Sequence, residues 1–238
     1  MSQEIKSMFS RIAHHYDKMN RIMSLGIDTL WRKRAAKESM LDRDTLQVLD
    51  IATGTGDLAI EVCKEAEKEG KDVHVHALDF NEDMLKLAKK KLKKMSIRNV
   101  EVISGDALKT GFKERSFDVI TSGFALRNFD DLGTFIMETK RVLKPGGKIV
   151  LLDVARPETK LLKFFQLYYF KIIPALGARY YNEDAYTYLV SSIWKFDKER
   201  LMKIVKDAGF RDPKITNLTL GAAFVLTATK PNVKRKSN

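Results

Sequence analysis

From Gln47 onward, short apolar runs alternate with segments of helical period, and this alternation limits the fold more than any other feature. QVLDIA, HVHALDF, NVEVISGDA, SFDVITSGFALRN and KIVLLDVA read as five strands in that order. Helices are expected over residues 58–68 and 81–94, and after the fourth run, ending at LKPGG. Strand–helix alternation predicts an α/β, doubly wound parallel sheet with helices on both faces. KIVLLDVA is almost wholly apolar, as expected of a strand buried at the centre of a sheet. KITNLTL and AAFVLTATK follow a helix over 198–208 and are expected to form a hairpin at the sheet edge.

Two segments stand outside the alternation. Residues 1–46 look helical and form an N-terminal cap. Residues 157–198 form an insertion holding six of the seven tyrosines (168, 169, 180, 181, 186 and 188), with Phe164, Phe165, Phe170, Trp194 and Phe196. The helices already cover the sheet, so an added aromatic layer is expected to line a pocket or a partner surface. Residues 1–230 make one domain; 231–238, with Lys234, Arg235 and Lys236, read as a disordered basic tail.

The net charge is +12. That balance suits an anionic partner, such as nucleic acid, an anionic membrane surface or a phosphorylated substrate. Six of the lysines lie on one helix, 84–95, and are read as a solvated face. No apolar run reaches the ~18 residues of a membrane span, and the N-terminus lacks an apolar signal core. The single cysteine, Cys63, is expected to be a packed side chain, and its isolation suits a reducing cytoplasm. His74 and His76 alternate along the second strand without a ligand partner, are read as structural, and no metal is expected.

Ligands of open α/β sheets bind beyond the carboxyl ends of the strands. Four segments fall there. The first, Asp50 to Asp57, carries Gly54, Thr55 and Gly56, and its glycines permit positive φ and close ligand approach. Asp79, followed by Phe80, ends the second strand, where a carboxylate accepts ribose hydroxyls. Asp106 and Ala107 follow the third strand and are placed for an adenine. Gly123 ends the fourth. Gly54 to Ala59 also fits the dinucleotide pattern G-x-G-x-x-A, and Asp79 would serve NAD equally well. Asp57 weighs against NAD, because a carboxylate at the helix start repels the pyrophosphate that would sit there. S-adenosylmethionine carries no phosphate. Helix N-capping is the bland reading of Asp57.

YDKMNRIMSLGIDTLW (16–31), LDIATGTGDLA (49–59), GFALRN (123–128), RVLKPGG (141–147) and DAYTYLVSSIWKF (184–196) together resemble the C-methyltransferases of ubiquinone and menaquinone biosynthesis. The resemblance spans nearly the whole chain. It implies a class I methyltransferase fold: a Rossmann-like, seven-stranded sheet with its last inserted strand antiparallel. It implies S-adenosylmethionine as methyl donor and carries cofactor roles to Thr55, Asp79, Asp106 and Ala107. It implies methylation of a ring carbon on a polyprenylated quinol. Three positions depart from the family pattern: Asp28 replaces a histidine, Gly123 a serine, and Leu226 the histidine of a C-terminal His-x-Gly-x-Lys.

Methyl transfer from a sulfonium is a direct displacement that requires neither metal nor protein nucleophile. Orientation and a dry site are what the enzyme adds, worth about 7–11 kcal/mol. A quinol carbon is activated when its hydroxyl loses a proton, so the phenolate must be stabilised. Arg127 is the expected stabiliser and Asn128 the orienting group. Tyr16, Asn20, Arg127 and Asn128 make up the expected substrate side. Water, Tyr16 or the His14–His15 pair are candidates to relay the proton, since arginine stays protonated. The bland reading of Arg127 is an ion pair with Asp130 or Asp131; that of Tyr16 and Asn20 is capping and packing. An RNA or protein methyltransferase is the rival enzyme, but the chain has no Asn/Asp-Pro-Pro-Tyr loop and no RNA-binding module before the domain, so nucleic acid is not the expected partner. Another small aromatic or isoprenoid substrate stays open, as does a homodimer. The expected setting is cytoplasmic with peripheral contact to an anionic membrane surface.

Overall fold

The computed structural model describes residues 3–156 and 183–232. Seven strands, β1 (Thr45–Ile51), β2 (Asp72–Asp79), β3 (Val100–Ser104), β4 (Phe117–Gly123), β5 (Leu143–Val154), β6 (Arg211–Leu218) and β7 (Ala223–Thr229), lie in the order β3-β2-β1-β4-β5-β7-β6. The first five pair in parallel, and β7 runs antiparallel to both neighbours, β5 and β6. The expected seven-stranded doubly wound sheet is therefore present, and the terminal hairpin sits at its edge.

Helices cover both faces because the apolar residues of the strands alternate between them. On one face, Ala35 and Ala36 of α2 (Asp28–Ser39) and Leu58, Val62 and Ala66 of α3 (Asp57–Lys68) pack against Val48, Val75 and Val150. Cys63 is buried in this layer, as a packed side chain. On the other, Phe135 and Ile136 of α5 (Leu132–Val142) and Leu201 and Val205 of α7 (Lys198–Asp207) pack against Leu49, Ile120, Leu151 and Phe224. The amphipathic α4 (Glu82–Lys94) starts at Asn81, whose side chain accepts from the N–H groups of Asp83 and Met84, satisfying two otherwise orphan donors.

The N-terminal cap is two helices, α1 (Gln3–Met23) and α2. Met8, Phe9, Ile12, Met19 and Met23 of α1 form a third apolar cluster with Met84 of α4. This contact seats α1 across the carboxyl ends of β1 and β2. Of the aromatic insertion, residues 157–182 and the Tyr186 side chain lie outside the described residues, as do residues 233–238 of the basic tail. The insertion's last part is α6 (Glu183–Lys195), which packs on a single 3-10 turn, Leu126–Asn128, just after β4.

LKPGG ends the helix as expected and also opens the next strand. Helix α5 ends at Val142, and Leu143 already begins β5 by pairing with Phe117, with a register irregularity before Val119. Gly147 makes this possible: a Cβ there would lie 2.7 Å from the carbonyl oxygen of Asp118 and 2.9 Å from Leu143 Cγ. Lys230 closes the helix end, its Nζ donating to the carbonyls of Lys140 and Leu143, both at 2.6 Å.

Candidate functional site

The strand order reverses between β1 and β4, and a cleft opens beyond their carboxyl ends, where ligands of such sheets bind. Two connected cavities occupy it. The outer one, about 650 Å³, is lined by Leu78, Asp79, Gly105, Asp106, Ala107 and Phe129. The central one, about 380 Å³, is lined by Tyr16, Gly54, Asp79, Phe80, Asn81, Met84, Gly123 and Asn128, among others. Ala52, Asp79 and Phe80 belong to both. A third cavity, about 400 Å³, lies beyond Phe124 and is lined by Asn20, Met23, Ser24, Asp28, Trp31, Phe124, Arg127, Val154 and Ile193.

Backbone strain shapes the floor. Ala52, Gly54, Gly56 and Phe124 all have positive φ, at 55°, 57°, 83° and 61°. At Gly56 a Cβ would also press on Ala88 Cβ at 3.3 Å. The glycine there lets α3 and α4 approach each other beneath the loop. At Gly123 a Cβ would meet Leu58 Cδ2 at 3.1 Å. This departure from the family serine is thus matched by a leucine filling the space.

Asp79 joins the loop to β2. Its Oδ2 accepts from the Gly54 N–H and its Oδ1 from the Asn81 N–H, each at 2.8 Å. A carboxylate oxygen has further lone pairs for ribose hydroxyls. Asp106 is exposed at the rim, accepting from the Leu108 N–H at 2.9 Å. Ala107 is buried beside it.

Asp50, Thr55, Gly56 and Asp57 stand behind this lining. Asp50 is fully buried, and its two oxygens accept from Thr53 Oγ1 and Thr121 Oγ1, each at 2.6 Å. Burial pushes its pKa up to about 6 against the help of both threonines. Thr55 Oγ1 donates to Asp17 of α1 at 2.6 Å and accepts from Lys91 Nζ at 2.9 Å. Asp57 does not cap α3: the N-cap is Gly56, with no side-chain bond. Its carboxylate pairs with Lys91, with Arg21 at 3.4 Å and with Arg32 at 3.8 Å. Burial opposes ionisation there, but Arg32, Lys91 and Arg21 together hold the carboxyl below its usual range. A neutralised Asp57 repels phosphate far less than a bare one, so the charge argument against a dinucleotide loses force.

Lys91 was expected on a solvated face. It instead reaches inward to Asp17, at 2.6 Å, and to Asp57. Asp28, a second departure, is buried and receives Arg21, Arg32 and, at 2.8 Å, Ser24 Oγ. The third, Leu226, is fully buried in β7 opposite Leu151 and Ile215, away from every cavity named above.

Arg127 is also tied, though not to Asp130 or Asp131. Its Nη1 pairs with Asp153 at the end of β5 and donates to the Phe124 carbonyl at 2.9 Å. Asp131 caps α5 through the Thr134 N–H. The pair is buried, with side chains 5% and 0% exposed. Asp153 is driven upward in pKa by burial and pulled back by Arg127. Among the described residues the buried Arg127 Nε lacks a hydrogen-bond partner, and Arg127 and Asn20 both line the third cavity. Asn128 is buried and its Oδ1 accepts from Tyr188 of α6 at 3.1 Å. Tyr188 was marked in the sequence only as one of many insertion aromatics. Burial raises the Tyr16 hydroxyl above its ordinary pKa, with Arg127 the main opposing influence. Tyr16 is therefore a neutral phenol at pH 7.

Comparison with known proteins agrees with this architecture. The model of the ubiE/COQ5 methyltransferase family matches residues 1–230. A demethylmenaquinone methyltransferase of Deinococcus radiodurans is 42% identical over 96% of this chain and 93% of its own. A ubiquinone/menaquinone biosynthesis C-methyltransferase, UbiE, of Rickettsia prowazekii is 36% identical over 95% and 92%. The chain belongs to the ubiE/COQ5 methyltransferase family. Among solved structures, a SAM-dependent methyltransferase of Aquifex aeolicus matches with a TM-score of 0.62 and 21% identity, over 90% of this chain and 97% of that one. A Haemonchus contortus phosphoethanolamine N-methyltransferase in complex with S-adenosyl-L-methionine matches with a TM-score of 0.62 and 19% identity, over 84% and 52%. These two likenesses concern the fold. The family makes this chain a methyltransferase.

Proposed function

We propose that this methyltransferase moves a methyl group from S-adenosylmethionine to a ring carbon of a polyprenylated quinol, a demethylmenaquinol or its ubiquinol-pathway equivalent. The observation that carries the reading is the buried Arg127 Nε, which has no hydrogen-bond partner among the described residues, beside an apolar cavity adjoining the cofactor cleft. A buried donor without an acceptor costs about 1–3 kcal/mol, and the oxygen of an aromatic ring would satisfy it. The names of the relatives point to the same substrate class.

S-adenosylmethionine supplies an electrophilic methyl group and a neutral thioether leaving group. Asp79 holds the ribose, Ala107 and Asp106 frame the adenine, and Gly54 and Phe80 bring backbone close to the donor. Asp50, Thr55, Gly56 and Asp57 hold the loop in shape. On the acceptor side, Arg127 stabilises the developing phenolate and Asn128, fixed by Tyr188, orients it. Tyr16 and Asn20 of α1 close the site against water. Asp153 keeps the guanidinium in place, leaving Nε free for substrate oxygen.

No described helix is long and apolar enough to cross a membrane. A prenylated substrate nonetheless lives in the bilayer, so we place the protein in the cytoplasm with peripheral, reversible contact to an anionic surface. The +12 charge supports this, each Lys or Arg near such a surface contributing about 1 kcal/mol. Asp28, where family members carry histidine, keeps a related isoprenoid ring open as substrate. The test is incubation of the purified chain with labelled S-adenosylmethionine and extracted quinol lipids in anionic vesicles. A methylated quinol in the mass spectrum is expected. Label transfer to a water-soluble aromatic but to no quinol would overturn the reading.

A further inference from the structure

His74 and His76 were expected to be structural because the sequence offers them no third ligand. The fold supplies one. Two residues apart on β2, their side chains project to the same face of the sheet. The parallel register sets His76 opposite Glu101 of β3, on that face. One ligand atom from each of the three lies within 4.8 Å of the other two. His76 Nδ1 is 3.1 Å from a Glu101 carboxylate oxygen but out of line for a hydrogen bond, so this buried atom has no hydrogen-bond partner. Among the described residues, Glu101 has no ion-pair partner but His76.

The surroundings fix one ligand and free another. The His76 ring is held edge-on by Phe112 at 5.5 Å and Phe117 at 5.3 Å, and meets His74 at 4.9 Å. Burial keeps the His76 imidazole below its ordinary pKa, in the neutral form that binds metals. The Glu101 side chain is 58% exposed and can turn onto an ion without unpacking anything.

We propose that His74, His76 and Glu101 bind one divalent ion of borderline softness, zinc foremost, at the β2–β3 edge of the sheet. Two imidazoles and one carboxylate are a zinc donor set, with a fourth position open to solvent water. Ligand bonds of about 2.0–2.2 Å bring the three donor atoms to roughly 3.3 Å from one another, a modest closing of the present spread. Magnesium and calcium prefer all-oxygen shells and are disfavoured. The site is separate from methyl transfer: His76 precedes Asp79 by three residues, roughly 10 Å along the strand. Its effect is on β3, the edge strand whose carboxyl end leads to Asp106 and Ala107. An ion bridging β2 and β3 pins that edge.

The experiment titrates zinc into the full-length, tag-free chain by calorimetry and repeats the measurement with cobalt(II), read by its visible absorption. One equivalent bound and a tetrahedral cobalt spectrum are expected, with a rise in thermal unfolding temperature. His74→Ala and Glu101→Gln, both at the sheet surface, should each weaken binding by more than about tenfold, a loss already seen for outer-shell partners. The chain's other two histidines provide the control: His14→Ala with His15→Ala should keep the full equivalent. Circular dichroism verifies that each variant is folded. No saturable binding, or binding unchanged in His74→Ala and Glu101→Gln, overturns the proposal, as does binding lost only in the His14/His15 variant.

Discussion

Replacing Arg127 with alanine should damage stability and catalysis separately, and the structure says how. The guanidinium and Asp153 form a buried pair. Removing one partner of such a pair leaves an uncompensated buried charge, at a cost of about 3–5 kcal/mol. That is a large part of the 5–15 kcal/mol that typically separates folded from unfolded chains. Asp153 is already raised by burial, and Arg127 is the leading influence holding it down. Without Arg127 the carboxyl rises further and takes a proton more readily. A group whose folded pKa exceeds its unfolded pKa contributes stability below the unfolded value and loses it as pH rises through the folded one. The deficit of Arg127→Ala should therefore be larger at mildly alkaline than at mildly acid pH. Urea unfolding followed by circular dichroism at both pH values measures it. Arg127→Met with Asp153→Asn, which removes both charges, should recover most of the loss. In the folded variant the methyl-transfer rate should drop about a hundredfold, as on loss of one preorganised stabilising group, while donor affinity stays nearly intact. A deficit below about 1 kcal/mol, far under the uncompensated-charge cost, and the same at both pH values would refute the buried-pair reasoning. Full turnover would remove Arg127 from the chemistry.

Asp79→Ala should weaken S-adenosylmethionine binding by about 10- to 150-fold, the equivalent of roughly 1.5–3 kcal/mol for hydrogen bonds to a charged group; calorimetry showing unchanged affinity would take Asp79 out of the site. Asp50, with its pKa raised from 3.8 to about 6, contributes stability that is complete below its unfolded value and lost as pH rises through about 6. The shift is worth about 3 kcal/mol, so Asp50→Asn should flatten the stability profile between mildly acid and neutral pH, and a slope equal to the parent's in urea titrations would contradict it.

What the sequence revealed follows from what is periodic in it. The strand–helix alternation and the apolar core of β5 are local patterns, and they placed the switch point and so the cleft. The hidden features are pairings made by the fold. Asp153 lies 26 residues beyond Arg127, and only the β4–β5 pairing brings them together; Asp130 and Asp131, close in sequence, were the natural but mistaken partners. Lys91 looks like its neighbours on α4 until α1 and α3 present Asp17 and Asp57 to it. Glu101 joins His76 through the β2–β3 register alone. Tyr188 was one aromatic among many, and its bond to Asn128 depends on how α6 meets the turn after β4.

The choice between a dinucleotide and a sulfonium donor shows how the fold changes a sequence argument while keeping its conclusion. Repulsion by Asp57 is weak, because three cations neutralise it. What closes the α3 N-terminus to a pyrophosphate is occupancy. Thr55 is held by Asp17 and Lys91 across this turn. A pyrophosphate would have to break these contacts and unseat α1, whose apolar face is packed on Met84. The proposed adenosine sulfonium site needs only the open cleft between Asp79, Ala107 and Gly54. In the proposed site, the contacts of Thr55 with Asp17 and Lys91 would both disfavour a phosphate and hold α1 over the donor cleft.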